Sequence, residues 1–154
     1  MSALRSHGSR GFTLIELVIS ITIVAIAVTT IVGVLTASAA QSAERMIQQQ
    51  ATAIAASYLD EILQKPYDDP DGVDGETARA ALDDVNDYDG LNNVGARNQI
   101  DAPIAGLAGY NVTVTVGAGA LGGIPAPGVR LVIVTVQHVS SGRTVTLSGY
   151  RARY

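Results

Sequence analysis

The sequence predicts an α+β protein. A long N-terminal α-helix, first transmembrane and then amphipathic, packs on a C-terminal antiparallel β-sheet. Three observations carry this prediction. No proline interrupts Phe12 to Gln64. Apolar residues from Ile47 to Ile62 recur at helical spacing. Beyond Tyr110, alternating and β-branched runs are separated by Gly- and Ser-rich links. At 154 residues the chain suffices for one globular domain.

The start of the helix is the most apolar part. Hydrophobic residues make up 47% of the chain and charged residues only 16%. A soluble domain carries about a quarter charged residues, so part of this chain is built for a setting other than water. From Leu17 to Ala43 there are 27 residues without a charge. Leu17 to Leu35, as a helix, spans about 28 Å, which matches the hydrocarbon core of a bilayer, about 30 Å. Arg5 and Arg10 precede it, and positive charge holds that side in the cytoplasm. Three readings follow. One is a plain single-pass anchor. Another is a secretory signal peptide, for which Ala37-Ser38-Ala39 offers a small-x-small cleavage site. Against that, the apolar run exceeds the usual h-region of about 7–15 residues and has Glu16 near its start. The third rests on the residues around Glu16.

Those residues are Arg10-Gly11-Phe12-Thr13-Leu14-Ile15-Glu16-Leu17. They closely resemble the prepilin cleavage and methylation motif of type IV pilins and type II secretion pseudopilins. The resemblance implies that a prepilin peptidase cuts between Gly11 and Phe12, that Phe12 is then N-methylated, and that Glu16 acts in assembly. It divides the chain into a leader (1–11), a transmembrane and filament-core helix (12–40) and a periplasmic globular domain (41–154). The cut precedes the apolar run, so the mature chain keeps its helix. It would be held in the inner membrane and then moved into an extracellular pilus or a periplasmic pseudopilus. The implied partners are the peptidase, other pilin subunits and the inner-membrane assembly platform.

Glu16 also has a local reading. Thr13-x-x-Glu16 is a capping box, and a carboxylate suits the positive end of a helix. A cap contributes about 1 kcal/mol. A charge in mid-bilayer costs about 2.5–3.5 kcal/mol, and an ionised group in an apolar stretch calls for a partner. The resemblance supplies one, the charged N-terminus of Phe12 on a neighbouring subunit. Capping and charge neutralisation are compatible at different stages. Further along, Ala25, Thr29, Gly33 and Ala37 form a small-residue stripe that lets helices approach closely. Gly33 stands where major pilins often have a proline; glycine weakens a helix by about 1 kcal/mol relative to Ala, which predicts a soft spot and no required kink.

In the second half of the helix, Ile47, Ala51, Ile54, Ala55, Tyr58 and Ile62 form one apolar stripe. Arg45, Gln49, Thr52, Ala56 and Asp60 fall on the other side. Tyr58 and Met46 read as core residues. The helix should end near Lys65-Pro66, because the residue before proline leaves helical geometry.

Eleven of the 14 acidic residues lie between Asp60 and Asp89, opposed only by Lys65 and Arg79. Asp68-Asp69-Pro70-Asp71-Gly72 has turn chemistry. Asp83 to Gly90 adds closely spaced oxygen ligands, and Asp84, Asn86, Asp87 and Asp89 are the candidate set for calcium, which takes six to eight oxygens. No register fits an EF-hand, and a solvated acidic loop is the alternative. Tyr58-Leu59-Asp60-Glu61-Ile62-Leu63, Lys65-Pro66-Tyr67, Asp83-Asp84-Val85-Asn86-Asp87-Tyr88 and Leu147-Ser148-Gly149-Tyr150-Arg151 look like the D-type minor pilins of mannose-sensitive haemagglutinin (MSHA) pili. Many pilins staple a C-terminal loop with a disulfide, and this chain has no Cys.

Tyr110 to Val116 alternates apolar and polar, as a half-buried strand does. Gly117 to Gly128 is a flexible link with five glycines and two prolines. Val129–Val139 and Arg143–Tyr154 are two further strands around the turn Ser140-Ser141-Gly142. Val129 to Tyr154 holds four arginines and no acid, opposite in sign to the acidic segment, which suits pairing between subunits. His138 reads as structural or exposed.

The function classes narrow accordingly. A net charge of −4 argues against nucleic-acid binding. Without Cys, and with two His, thiolate chemistry is excluded and a triad or His-rich metal centre is poorly supplied. No nucleophile–base or cofactor constellation marks an enzyme. The reading is a minor pilin of an MSHA-like type IV pilus. The alternatives are a minor pseudopilin of a type II secretion system and a membrane-anchored or secreted calcium-dependent binding domain.

Overall fold

The computed structural model describes residues 11–72, 76, 78–124 and 127–153. Arg5 and Arg10 of the expected leader, Asp74 of the acidic run, Pro125 of the glycine-rich link and Tyr154 lie outside the described residues. One helix, α1, runs unbroken over Leu14–Leu63. Four strands follow: β1 (Asn92–Asn93), β2 (Tyr110–Ala118), β3 (Val129–His138) and β4 (Thr144–Ala152). They form one antiparallel sheet in the order β1-β2-β3-β4. The α+β arrangement, a long apolar helix with an antiparallel sheet, is as the sequence predicts. The two-residue β1 is the strand that periodicity does not reveal, since a pair of asparagines carries no alternation.

By its contacts the chain divides into two compact units, with the break between Ala43 and Glu44. In the second unit, the end of α1 lies on the sheet. Ala51, Ile54, Ala55, Tyr58 and Ile62 are buried against Val112, Val114, Val132, Val134 and Val136. These valines sit at every second position of β2 and β3, so they share one face. The two antiparallel ladders align them, pairing Val112 with Val136, Val114 with Val134 and Val134 with Leu147. The predicted helix stripe is therefore the buried one, with Ile47 partly buried at its edge. Met46 corrects the sequence reading: it is 55% exposed, because its position on α1 turns it away from the Ala51–Ile62 face.

α1 stops where Pro66 predicts. The Lys65 N–H bonds the Ile62 carbonyl at 3.0 Å, a tightened last turn. Among the described glycines, the tightest approach is at Gly149 on β4. A Cβ there would stand 2.8 Å from Leu63 Cδ1 and 3.3 Å from Leu59 Cδ1, so glycine is what lets α1 lie close over β4. His138 is structural, as expected. Its ring lies 4.7 Å from that of Tyr110, and its Nδ1 is 2.9 Å from Ser141 Oγ in the β3–β4 turn.

Candidate functional site

Two regions hold the candidate functional residues. In the first unit, Gly11, Phe12 and Thr13 lead into α1. The Glu16 N–H donates to Thr13 Oγ1 at 3.3 Å, and the Leu17 N–H to the Thr13 carbonyl at 3.1 Å. Thr13 is thus the N-cap. Only that half of the capping box forms: among the described residues the Glu16 carboxylate accepts no hydrogen bond and is exposed. Glu16 is the one charge between Gly11 and Ala43.

Around it everything else is apolar or internally satisfied. Phe12, Leu14, Ile15 and the aliphatic side chains onward to Leu35 are more than half exposed. The most apolar window of α1 has a mean hydropathy of 2.6, and none of it is buried. The hydroxyls are turned back onto the helix. Ser20 Oγ donates to the Glu16 carbonyl (2.7 Å), Thr22 Oγ1 to Val18 (2.8 Å), Thr30 Oγ1 to Ile26 (2.8 Å) and Thr36 Oγ1 to Val32 (2.8 Å). Thr29 reaches both Ala25 (3.1 Å) and Ile26 (2.9 Å). Such back-bonding hides polar groups from an apolar surrounding, where each unsatisfied group would cost several kcal/mol. Gly33 leaves the helix continuous, and a Cβ there would meet nothing within 4 Å. The surface is therefore greasy, smooth at Gly33, and marked by one unpartnered acid.

In the second unit the acidic segment is partly buried and ordered by its own side chains. Glu61 lies on the inner face of α1 and is 9% exposed. Its Oε2 accepts from Arg79 Nη2 at 2.8 Å, and its Oε1 from the Tyr88 hydroxyl at 2.9 Å. Burial, and then the charge of Glu61, push the Tyr88 hydroxyl well above its ordinary pKa. The Arg79 guanidinium covers the Tyr58 ring at 4.3 Å. The Tyr58 hydroxyl accepts from Asn93 Nδ2 and the Arg97 N–H, each at 2.9 Å. This node joins α1 to the 79–97 segment. The sequence reading gave Glu61 no role of its own beyond its place among the acids of 60–89. The available signal was Tyr58 and Glu61 three residues apart on the face that carries the apolar stripe.

The four residues proposed as calcium ligands are distributed differently from one another. Asp84 Oδ1 accepts the N–H groups of Asn86 (2.5 Å) and Asp87 (3.0 Å). Asp87 Oδ2 accepts those of Asp83 (3.0 Å) and Asp84 (3.1 Å). Asp89 Oδ1 accepts the Val116 N–H at 2.8 Å, which ties the loop to β2. Of the four, Asp87 alone falls in a group of carboxylates at metal-ligand spacing; its neighbours there are Glu76 and Asp83, and a second group joins Asp69, Asp71 and Asp83. The basic end of the sheet meets the acidic segment within the chain: Arg153 grips Asp68 through Nε (2.8 Å) and Nη2 (2.6 Å). That geometry raises the Arg153 pKa, through the hydrogen bond first and the charge of Asp68 second. Tyr67 underlies the same corner, its hydroxyl bonded to the Pro127 carbonyl and its ring beneath Arg130 and Arg153.

Comparison with known families agrees with the first region. Residues 6–32 match the family model described as the prokaryotic N-terminal methylation motif. Neither the curated proteins nor the solved structures give a match. The motif, standing before an exposed apolar helix, supports the pilin and pseudopilin superfamily, whose members are structural subunits. It implies processing by a prepilin peptidase and assembly with other pilin-type chains.

Proposed function

We propose that this protein is a minor pilin, a structural and assembly subunit of an MSHA-like type IV pilus. A prepilin peptidase removes residues 1–11 and methylates the new N-terminus at Phe12. The mature chain waits in the inner membrane with its C-terminal unit in the periplasm, then enters the filament through α1. The observation that carries this is the methylation motif at 6–32, together with a first half of α1 whose large apolar side chains, from Leu14 to Leu35, are exposed. Glu16 is the recruiting residue: an unpartnered carboxylate at the helix start, suited to the charged N-terminus of a neighbouring subunit. The same motif serves the runner-up, a minor pseudopilin of a type II secretion system, and neighbouring genes distinguish the two.

The test is Glu16→Ala. Thr13 still caps the helix through its own hydroxyl, so export and cleavage should be spared. Incorporation into sheared filaments should fall severalfold. Wild-type incorporation of the variant overturns the role of Glu16. Intact mass tests the maturation: the expected chain starts at Phe12 and carries one added methyl, whereas a start at Ala40 would identify a cleaved signal peptide.

A further inference from the structure

The bond cut in maturation lies just outside α1, and one hydroxyl decides where that helix begins. Gly11, Phe12 and Thr13 are non-helical and exposed, and α1 starts at Leu14. The first carbonyl drawn into the helical ladder is that of Thr13, which accepts the Leu17 N–H at 3.1 Å. Among the described residues the carbonyls of Gly11 and Phe12 accept no backbone hydrogen bond. Thr13 Oγ1 takes the Glu16 N–H at 3.3 Å, and among the described residues no other side chain caps this end. The start of α1 therefore rests on a single hydroxyl.

The chain offers one other place to start. Gly11 is of a residue type that ranks beside threonine as an N-cap. A Cβ at Gly11 would meet nothing within 4 Å, so no neighbouring segment of the described chain holds it in place. Downstream, Leu14 to Ile19 contains no Ser, Thr, Asn, Asp or Gly. Unwinding that stretch would leave backbone groups unpaired in an apolar setting, where they are costly. A helix deprived of the Thr13 hydroxyl thus grows towards its N-terminus. Started at Gly11, it would draw the Gly11 carbonyl into its first bond, from the Ile15 N–H, as Thr13 now accepts from Leu17. That carbonyl is the one a peptidase must attack. In hydrolysis, water adds at the Gly11 carbonyl carbon, the bond to the Phe12 nitrogen breaks, and the products are the Gly11 carboxylate and the Phe12 amine. A carbonyl turned along a helix axis and shared with an internal donor is poorly placed for that attack.

We propose that Thr13 is a positioning residue for leader removal: its hydroxyl caps α1 just beyond the Gly11–Phe12 bond and so holds that bond out of the helix. This role rests on the maturation reading and adds to it a residue on the far side of the cut.

The experiment uses the full-length precursor in membranes, mixed with a prepilin peptidase, with the rate of leader loss read by intact mass. Thr13→Val keeps the branched shape and removes the hydroxyl; it should be cut about fivefold more slowly, the factor that a typical cap is worth. Thr13→Ser restores a capping hydroxyl without the methyl group and should be cut at the wild-type rate. Thr22→Val removes a hydroxyl that bonds the Val18 carbonyl within the helix, and it too should be cut at the wild-type rate. In labelled precursor kept from the peptidase, the NMR shifts of the Gly11 carbonyl and the Phe12 Cα should move towards helical values in Thr13→Val and in neither other variant. Wild-type cleavage of Thr13→Val overturns the proposal. Slow cleavage of Thr13→Ser or of Thr22→Val does the same, because the cap would not be the cause. Unchanged Gly11 and Phe12 shifts in a slowly cut Thr13→Val also overturn it, because the peptidase would then be reading the hydroxyl itself. A wild-type precursor that keeps residues 1–11 overturns the maturation reading and this role with it, whereas a precursor cut without regard to residue 13 removes this role alone.

Discussion

The two halves of α1 share a backbone and differ in what satisfies them. From Leu14 to Ala43 the helix buries none of its side chains, while Ala51, Ile54, Ala55, Tyr58 and Ile62 are buried in the protein's own core. The first half turns its hydroxyls inward onto its carbonyls. The second half uses polar atoms to hold other segments, through Glu61 on Arg79 and Tyr88 and through Tyr58 on Asn93 and Arg97. An apolar surface of that size is stable only against something apolar outside the chain. The lesson is that hydrophobicity alone does not mark a core. The first half is the more hydrophobic and holds no core; the second is poorer in apolar residues and holds all of it.

The comparison breaks most severely at Arg79. Arg79→Ala leaves Glu61 charged, buried and short of its counter-ion. Removing one partner of a buried pair costs about 3–5 kcal/mol, which for a unit of this size is a large share of the stability. Urea melts of the second unit, followed by tyrosine absorbance, should show it. Restoring neutrality with Glu61→Gln in the same chain should recover part of the loss. If the single variant melts like wild type, the node does not hold the 79–97 segment. Next comes a matched pair on the two halves. Ile62→Ala in the core should cost about 2–5 kcal/mol through lost burial and a cavity. Ile23→Ala, 61% exposed as wild-type isoleucine, should leave the same melt unchanged. Equal losses at both sites would erase the distinction drawn above.

Much of this architecture was legible in the sequence. The helix stripe, the proline stop and the three long strands follow from local spacing, and local spacing is what fixes them. The methylation motif was legible because eight adjacent residues carry it. The buried node was not, because Glu61 and Arg79 stand 18 residues apart and meet only once the segment between them folds back. The arrangement of the acidic segment was half legible. Sequence adjacency grouped Asp84, Asn86, Asp87 and Asp89 as oxygen ligands, whereas Asp84 and Asp87 accept backbone N–H groups of their own turn and Asp89 accepts the Val116 N–H. The carboxylates that converge with Asp87 are those of Glu76 and Asp83, a set that only the fold assembles. Met46 failed for a narrower reason: residue type was weighed above angular position, and the helix turns it to solvent.

The smallest effect tests the close approach at Gly149. The sequence marks Gly149 only as part of a run, Leu147 to Arg151, with no sign that a helix lies above it. In the structure a Cβ there would press against two leucine methyl groups of α1. These are the ends of flexible side chains, so alanine can be accommodated by small rotations of Leu59 and Leu63. A β-branched residue adds two methyl groups beyond that Cβ, more volume than such rotations readily clear. Gly149→Val should thus cost about 1–3 kcal/mol by overpacking, even though valine suits a strand better than glycine. Trimming Leu63 to Ala in the same chain should return part of that loss, a coupling that double-mutant analysis reads directly. If valine instead stabilised the unit, strand propensity would outweigh the contact, and the close approach of α1 to β4 would not be what glycine is there to allow.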